Sequence, residues 1–248
     1  MRKKVLFCII FVAMVIQLFG TNGHVYAAND GEKIEEGIYK IVLANDESQS
    51  MAVENLTPGY GANVKIETYS ENVNQMFRIK NDAVGYQEII PVYSGKRVDI
   101  AGWGNGVNVE QWGENKMSDS QQFRIVKSNK GNYNIIGKRD NLYLTAQKKG
   151  ENGYINIEGY QKNNLENQEF KLEKIQTPEE GIYKIVLANS TWQSVTVKDG
   201  SIKNGRNVQV MRYENSIKQQ YQIKYDNDGY LEIIPVFSEK RRKWLYKY

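Results

Sequence analysis

The sequence predicts an all-β protein built from an internal repeat, and three observations carry that prediction. "EEGIYKIVLAN" at 35–45 recurs unchanged at 179–189, and "GYQEIIPVYSGKR" at 85–97 returns as "GYLEIIPVFSEKR" at 229–241, both 144 residues later. A Gln-x-aromatic pair closes each of a series of shorter segments, at Gln75/Phe77, Gln121/Phe123, Gln168/Phe170 and Gln219/Tyr221. Their spacing is close to the repeat length of three- or four-strand units. Between these closures, apolar residues alternate with polar ones over short runs bounded by Gly, Asn, Asp and Ser, and no amphipathic helical period follows residue 27. That pattern reads as short strands joined by tight turns.

The chain opens differently. Arg2, Lys3 and Lys4 precede an apolar run from Val5 to Gly20, and Val25-Tyr26-Ala27-Ala28 offers a small-residue cleavage site. This is the layout of a secretory signal peptide over 1–27, cleaved near Ala27. The apolar run is shorter than the roughly 20 residues a spanning helix needs, so the expectation is a secreted, extracellular chain with no stable membrane insertion after cleavage.

Removing the leader changes the chemistry. The only cysteine (Cys8) and the only histidine (His24) both lie in it. The mature chain then has no disulfide, no Cys or His nucleophile or base, and no His/Cys metal cluster. Hydrolysis by a carboxylate pair stays open on composition, but no two acids stand in a recognisable catalytic setting. The expectation is a non-enzymatic protein with no catalytic residue, no metal and no cofactor. The chain's net +4 loses the three leader cations and becomes +1, and the last nine residues, "KRRKWLYKY", carry five cations. The body between is therefore at −4, which argues against a nucleic-acid partner, since that would need basic residues spread along a face.

After a linker at 28–36, three units of about 45 residues fill 37–176. Three units of four short strands, closed on themselves, bury a three-fold core and leave no free sheet edge. That arrangement is a β-trefoil. In it the closure aromatics fill the core, and the Gln amides satisfy turn backbone groups. Pro91 and Pro235 hold the same place in their repeats, where an edge strand or a bulge would tolerate them. Residues 179–241 align with 35–97 without a gap, about half the positions being identical. The match stops after Arg241: the first copy continues "VDIAGWG", the second "RKWLYKY". The expected architecture is thus a complete trefoil at 37–176 followed by an incomplete second trefoil module at 177–248. Truncation is the favoured reading of that module; completion by another chain and partial disorder are the alternatives.

Units of this length, with an inner (V/I)-x-x-(W/Y) strand and a Gln-x-(F/Y) ending, resemble the ricin B-type β-trefoil lectins. The endings "NQMFRI" and "NQEFKLEKI" are most similar to trefoils of secreted bacterial toxin and haemagglutinin components. The resemblance implies a plan for each sugar-binding unit. An Asp after the first strand accepts hydrogen bonds from two sugar hydroxyls. An aromatic at the end of the inner strand stacks on the sugar's apolar face, with a polar residue two before it, and an Asn-Gln pair stands at the closure. The physics agrees: a pyranose has one face of C–H groups and a rim of hydroxyls, so it needs a flat apolar platform and a few fixed acceptors.

On that plan the second unit supplies Asp99, Glu110, Trp112 and Gln121, with Ser120 in place of the Asn and with Trp103 and Asn105 at the rim. The first unit has Ala52 at the acid position, Tyr69 and Asn74-Gln75. The third has Tyr143, Tyr160 and Asn167-Gln168, and the fourth Thr196, Tyr213 and Lys218-Gln219. Only the second keeps the acid. The plainer readings are that Asp99 caps a turn, Trp112 is half-buried packing and Glu110 a solvated strand residue. What the resemblance implies is a carbohydrate-binding lectin that takes glycans, galactose-type or other sugars, mainly through its second repeat, and that targets a toxin or glycosidase partner. The alternative is a structural or protein–protein interaction trefoil whose sugar sites have degenerated.

Overall fold

The computed structural model describes residues 34–149, 154–203, 206–226 and 231–238. The leader at 1–27 and the cationic tail lie outside the described residues. The first unit folds as β1 (Gly37–Leu43), β2 (Asp46–Val53), β3 (Ala62–Thr68) and β4 (Phe77–Asn81). The second follows as β5 (Gln87–Pro91), β6 (Arg97–Ile100), β7 (Val107–Trp112) and β8 (Phe123–Lys127). The third is β9 (Tyr133–Gly137), β10 (Tyr143–Lys149), β11 (Tyr154–Tyr160) and β12 (Phe170–Lys174). Alternation explains the strands: in β1, Tyr39, Ile41 and Leu43 turn inward and are buried, as a period of two requires.

The first and last strands of the three units close a six-stranded antiparallel barrel. β1 pairs with β4, β4 with β5, β5 with β8, β8 with β9, β9 with β12, and β12 returns to β1. The middle strands form three hairpins, β2–β3, β6–β7 and β10–β11. The hairpins join around a triangle of contacts, β3–β7, β7–β11 and β11–β3. This is the β-trefoil that the repeat predicts. Closure abolishes sheet edges along the barrel.

The Gln-x-aromatic closures work as scaffold. Phe77, Phe123 and Phe170 are fully buried in one core with Ile41, Ile79 and Leu144. Each closure Gln stitches the loop before it to the backbone. Gln75 donates to Thr68 O and accepts from Ser70 N, Gln168 donates to Gln161 O and accepts from Asn163 N, and Gln219 does the same with Arg212 O and Glu214 N.

Two details differ from the sequence reading. Pro91 stands on neither an edge nor a bulge: it is the last residue of the barrel strand β5, opposite Phe77, and the next residue, Val92, resumes hydrogen bonding through its N–H to Met76 O. Proline is tolerated there because the ladder ends with it. Residues 34–36, expected in a linker, are docked: Ile34 is buried in the core, its carbonyl accepts from Asn81 Nδ2 at 2.9 Å, and Glu36 accepts from Asn81 N.

The repeat resumes as β13 (Gly181–Tyr183), β14 (Val186–Leu187), β15 (Ser190–Val197), β16 (Val208–Arg212), β17 (Tyr221–Tyr225) and β18 (Leu231–Pro235). These reproduce β1–β5 as two separate three-stranded sheets, β13-β17-β18 and β14-β15-β16. The strand corresponding to β1 is broken in two. Val208 and Val210 are 36% and 45% exposed, where their first-module counterparts Val64 and Ile66 are 0% and 4%. In the first module β3, which carries Val64 and Ile66, joins β7 and β11; among the described residues β16 pairs only with β15.

Candidate functional site

The β6–β7 hairpin sets the site. Its register puts Arg97 opposite Trp112 and Asp99 opposite Glu110, so all four side chains share one face. Asp99 is 9% exposed and Trp112 45%. The closure reaches under them: Gln121 Nε2 donates to Asp99 Oδ2 at 2.7 Å and to Gly113 O at 2.8 Å, while its carbonyl accepts from Asn115 N at 2.8 Å. One residue thus ties the acid to the end of the aromatic's strand. It fixes one carboxylate oxygen of Asp99 and leaves Oδ1 as an acceptor held in place. Glu110 is half-buried beside that carboxylate. Burial first, and then the negative charge of Asp99, raise its pKa above the ordinary 4.5, so it keeps a proton more readily than a solvated glutamate.

A residue that the sequence reading missed completes the platform. Tyr60, 67% exposed, comes from the β2–β3 connection of the preceding unit, and its ring centroid lies 5.2 Å from that of Trp112 at an interplanar angle of 33°. That spacing falls in the attractive range for aromatic pairs. Two glycines permit the approach. Gly61, at φ +73°, donates to Gln111 O at 2.9 Å, and Gly113 lies so close beneath Tyr60 that a Cβ there would come within 3.0 Å of the ring. The Lys96 ammonium sits 4.9 Å from the Tyr60 centroid. No sequence signal within the second unit identifies Tyr60, since it belongs to the unit before.

The same inter-unit geometry moves two residues away from this site. Trp103 and Asn105 lie in the β6–β7 turn, at the opposite end of β7 from Trp112. Asn105 Oδ1 accepts from Gln161 N at 2.7 Å, Gly106 N donates to Gly159 O, and Gly106 backs onto the Tyr160 hydroxyl. They therefore border the hairpin of the third unit, as Tyr60 borders that of the second. Trp103 is 73% exposed, with the Arg139 guanidinium 4.3 Å over its ring. Arg139 in turn donates to Ile100 O and Gly102 O.

The closure hydrogen bonds also identify the matching positions in the other units. Gln168 and Gln219 donate to Thr145 Oγ1 and Thr196 Oγ1 as Gln121 donates to Asp99. The third unit's acid position is thus Thr145, two residues beyond Tyr143, and Tyr143 pairs with Tyr160 as Arg97 pairs with Trp112. Opposite numbers of Trp112 in the first and fourth units are Glu67 and Met211, which pair with Ser50 and Ser194. Tyr69 and Tyr213 stand two residues past those positions, under the ammonium groups of Lys40 and Lys184. The third unit keeps an aromatic and an acid, but Lys149 Nζ holds Glu158 at 2.6 Å. The second unit alone joins a buried carboxylate at the acid position to an exposed aromatic. Ser120, at the Asn position of the closure pair, bonds Ser118, whereas Asn74 and Asn167 donate to backbone carbonyls of their hairpins. Among the described residues no group of three or more His, Cys, Asp or Glu could hold a metal ion.

Comparison with known proteins returns the same architecture. The model of the ricin-type β-trefoil lectin domain-like family matches residues 25–112 and 119–211. No curated protein matches the chain. Among solved structures the chain is similar to a designed three-fold symmetric protein, ThreeFoil, at 28% identity and a TM-score of 0.53, over 56% of this chain and 99% of that one. It is similar to a mosquitocidal holotoxin at 16% identity and a TM-score of 0.52, over 82% of this chain but a quarter (25%) of the toxin chain. It also resembles the Polyporus squamosus lectin, bound to Neu5Acα2-6Galβ1-4GlcNAc, at 19% identity and a TM-score of 0.50, over 56% of this chain and 49% of that one.

Proposed function

The chain belongs to the ricin-type β-trefoil lectin domain-like family, and from that premise we propose that it is a secreted, non-enzymatic lectin that binds glycans through its second unit. The observation that supports this reading is the conjunction of Asp99, anchored by Gln121 at 2.7 Å, with the exposed ring of Trp112 on the same hairpin face. A sugar laid on Trp112 offers its hydroxyls to the free oxygen of Asp99. Glu110, half-buried beside that carboxylate, adds a second polar group within the same hairpin face. Charged acceptors of fixed orientation make the stronger hydrogen bonds, and the aromatic face contributes apolar contact that water cannot match. Secretion rests on the basic, apolar and small-residue layout of 1–27. A role in targeting a toxin or a hydrolase rests on the composition of the closures and on the likeness to a holotoxin chain.

The test is isothermal titration with glycans selected on a glycan array, comparing wild type with Asp99→Ala and Trp112→Ala. Each variant is expected to lose about tenfold or more in affinity, the worth of one charge-assisted hydrogen bond or one stacked ring. Unchanged binding in both variants contradicts the assignment.

A further inference from the structure

Tyr60 brings a second exposed ring to Trp112, and the loop that carries it is built onto the second unit. Gln111, the neighbour of Trp112 on β7, is fully buried. Its Nε2 donates to Thr57 O at 2.6 Å and to Gly59 O at 2.8 Å, and its Oε1 accepts from Ser94 Oγ at 2.8 Å. The Tyr93 hydroxyl adds a further tie, donating to Thr57 O at 2.7 Å. On the other side of Tyr60, Gly61 N donates to Gln111 O. The backbone before and after Tyr60 is thus fixed to the strand that carries Trp112. A satisfied, buried polar network holds one geometry, so a ligand that stacks on Tyr60 has no loop to order first.

The turn itself does not call for this ring. Gly106 N donates to Gly159 O as Gly61 N donates to Gln111 O, so Asn105 stands where Tyr60 stands. In the 144-residue repeat the pair Tyr60-Gly61 becomes Asn204-Gly205, and Asn152-Gly153 precedes β11. Asn-Gly is favoured in tight turns because both residues accept positive φ; tyrosine has no such advantage. Tyr-Gly stands only beside the unit that carries Asp99 and Trp112. Tyr60 is 67% exposed, so the Lys96 ammonium and the Trp112 ring leave most of it open to solvent. Its plane is inclined by 33° to that of Trp112. One flat sugar ring cannot lie along both planes at once, whereas two linked rings, which turn relative to each other at the glycosidic bond, meet one plane each.

We propose that Tyr60 is a second sugar subsite, which stacks on the ring next to the one held at Trp112 and Asp99 and makes this a site for a disaccharide or a longer glycan. The proposal rests on the reading of Trp112 and Asp99 as a sugar site. Its test is isothermal titration with galactose, glucose, mannose and N-acetylglucosamine, each as its methyl glycoside and as the terminal residue of a neutral disaccharide. Wild type, Tyr60→Ala, Tyr60→Phe, and Asp99→Ala with Trp112→Ala are compared, each with its melting curve. For the sugar that binds, the disaccharide should bind wild type roughly three- to tenfold more tightly than the methyl glycoside, the worth of one further stacked ring. Tyr60→Ala should bring that ratio down toward one while melting near wild type, since the ring is mostly exposed, and Tyr60→Phe, which keeps the stacking face, should preserve the ratio. Equal binding of the two forms by wild type, a ratio that survives Tyr60→Ala, or a Phe variant that loses the ratio as Ala does overturns the stacking subsite and leaves the Trp112 site standing. Binding that ignores the Asp99 and Trp112 changes, or no sugar bound at all, overturns both.

Discussion

At the scale of single residues, the site depends on one glutamine doing two things. Gln121 is 2% exposed and bridges Asp99, the Gly113 carbonyl and the Asn115 amide. Gln121→Leu leaves the buried Asp99 carboxylate without its partner and frees the part-buried Gly113 carbonyl and Asn115 amide, and a buried unsatisfied group costs about 1–3 kcal/mol. The variant should lose about 1–3 kcal/mol in chemical denaturation and bind glycan poorly. Trp112→Ala removes a half-exposed ring, so its melting temperature should stay near that of wild type while binding falls. Glu110 gives a pH signature. Its pKa is raised in the folded chain, so the folded state holds that proton more tightly than the unfolded state does. The associated stability is fully present below the ordinary carboxylate range and is lost as pH rises through the raised value. Glu110→Gln should therefore raise the melting temperature near neutrality and leave it unchanged in acid. A larger gain in acid than at neutrality would contradict the assignment.

At the scale of elements, strand identity was legible in the sequence because alternation and closure recur together, and the structure puts Phe77, Phe123 and Phe170 in one buried core. Phe123→Ala should cost about 3–5 kcal/mol, as deletion of a fully buried aromatic does, with equilibrium unfolding as the check. Register within the hairpins was less legible, and the misses share a size. Tyr143 was read where Thr145 stands, and Tyr69 and Tyr213 where Glu67 and Met211 stand. Each is a slip of two residues. A slip of one would have moved an apolar set to the wrong face, but a slip of two leaves every side chain on its face and the pattern intact. Only the cross-strand partners and the Gln hydrogen bonds break the tie. The surroundings of Tyr60, Trp103 and Asn105 are illegible for another reason: each touches a residue of the next unit (Trp112, Arg139 and Gln161), and a unit read by itself contains no record of its neighbour.

At the scale of the whole molecule, closure separates the two modules. Within 37–174 the six barrel strands close on one another, each paired with two neighbours, whereas the second module presents Val208 and Val210 partly to solvent. A segment 28–176 expressed alone should unfold in one cooperative thermal transition, and 177–248 alone should not. A sharp melt of 177–248 by itself would show that its strands need no partner units. The repeat also sets the second unit, which carries the proposed glycan site, apart within a four-fold pattern. The scaffold residues recur from unit to unit, while among the described residues the buried acid and the exposed aromatic coincide only at Asp99 and Trp112. The most direct measurement of that claim is titration of an array-selected glycan into wild type and into Asp99→Ala with Trp112→Ala, both verified as folded by their melting curves. The double variant should show no measurable binding while melting as wild type does; glycan binding equal to that of wild type would contradict the account.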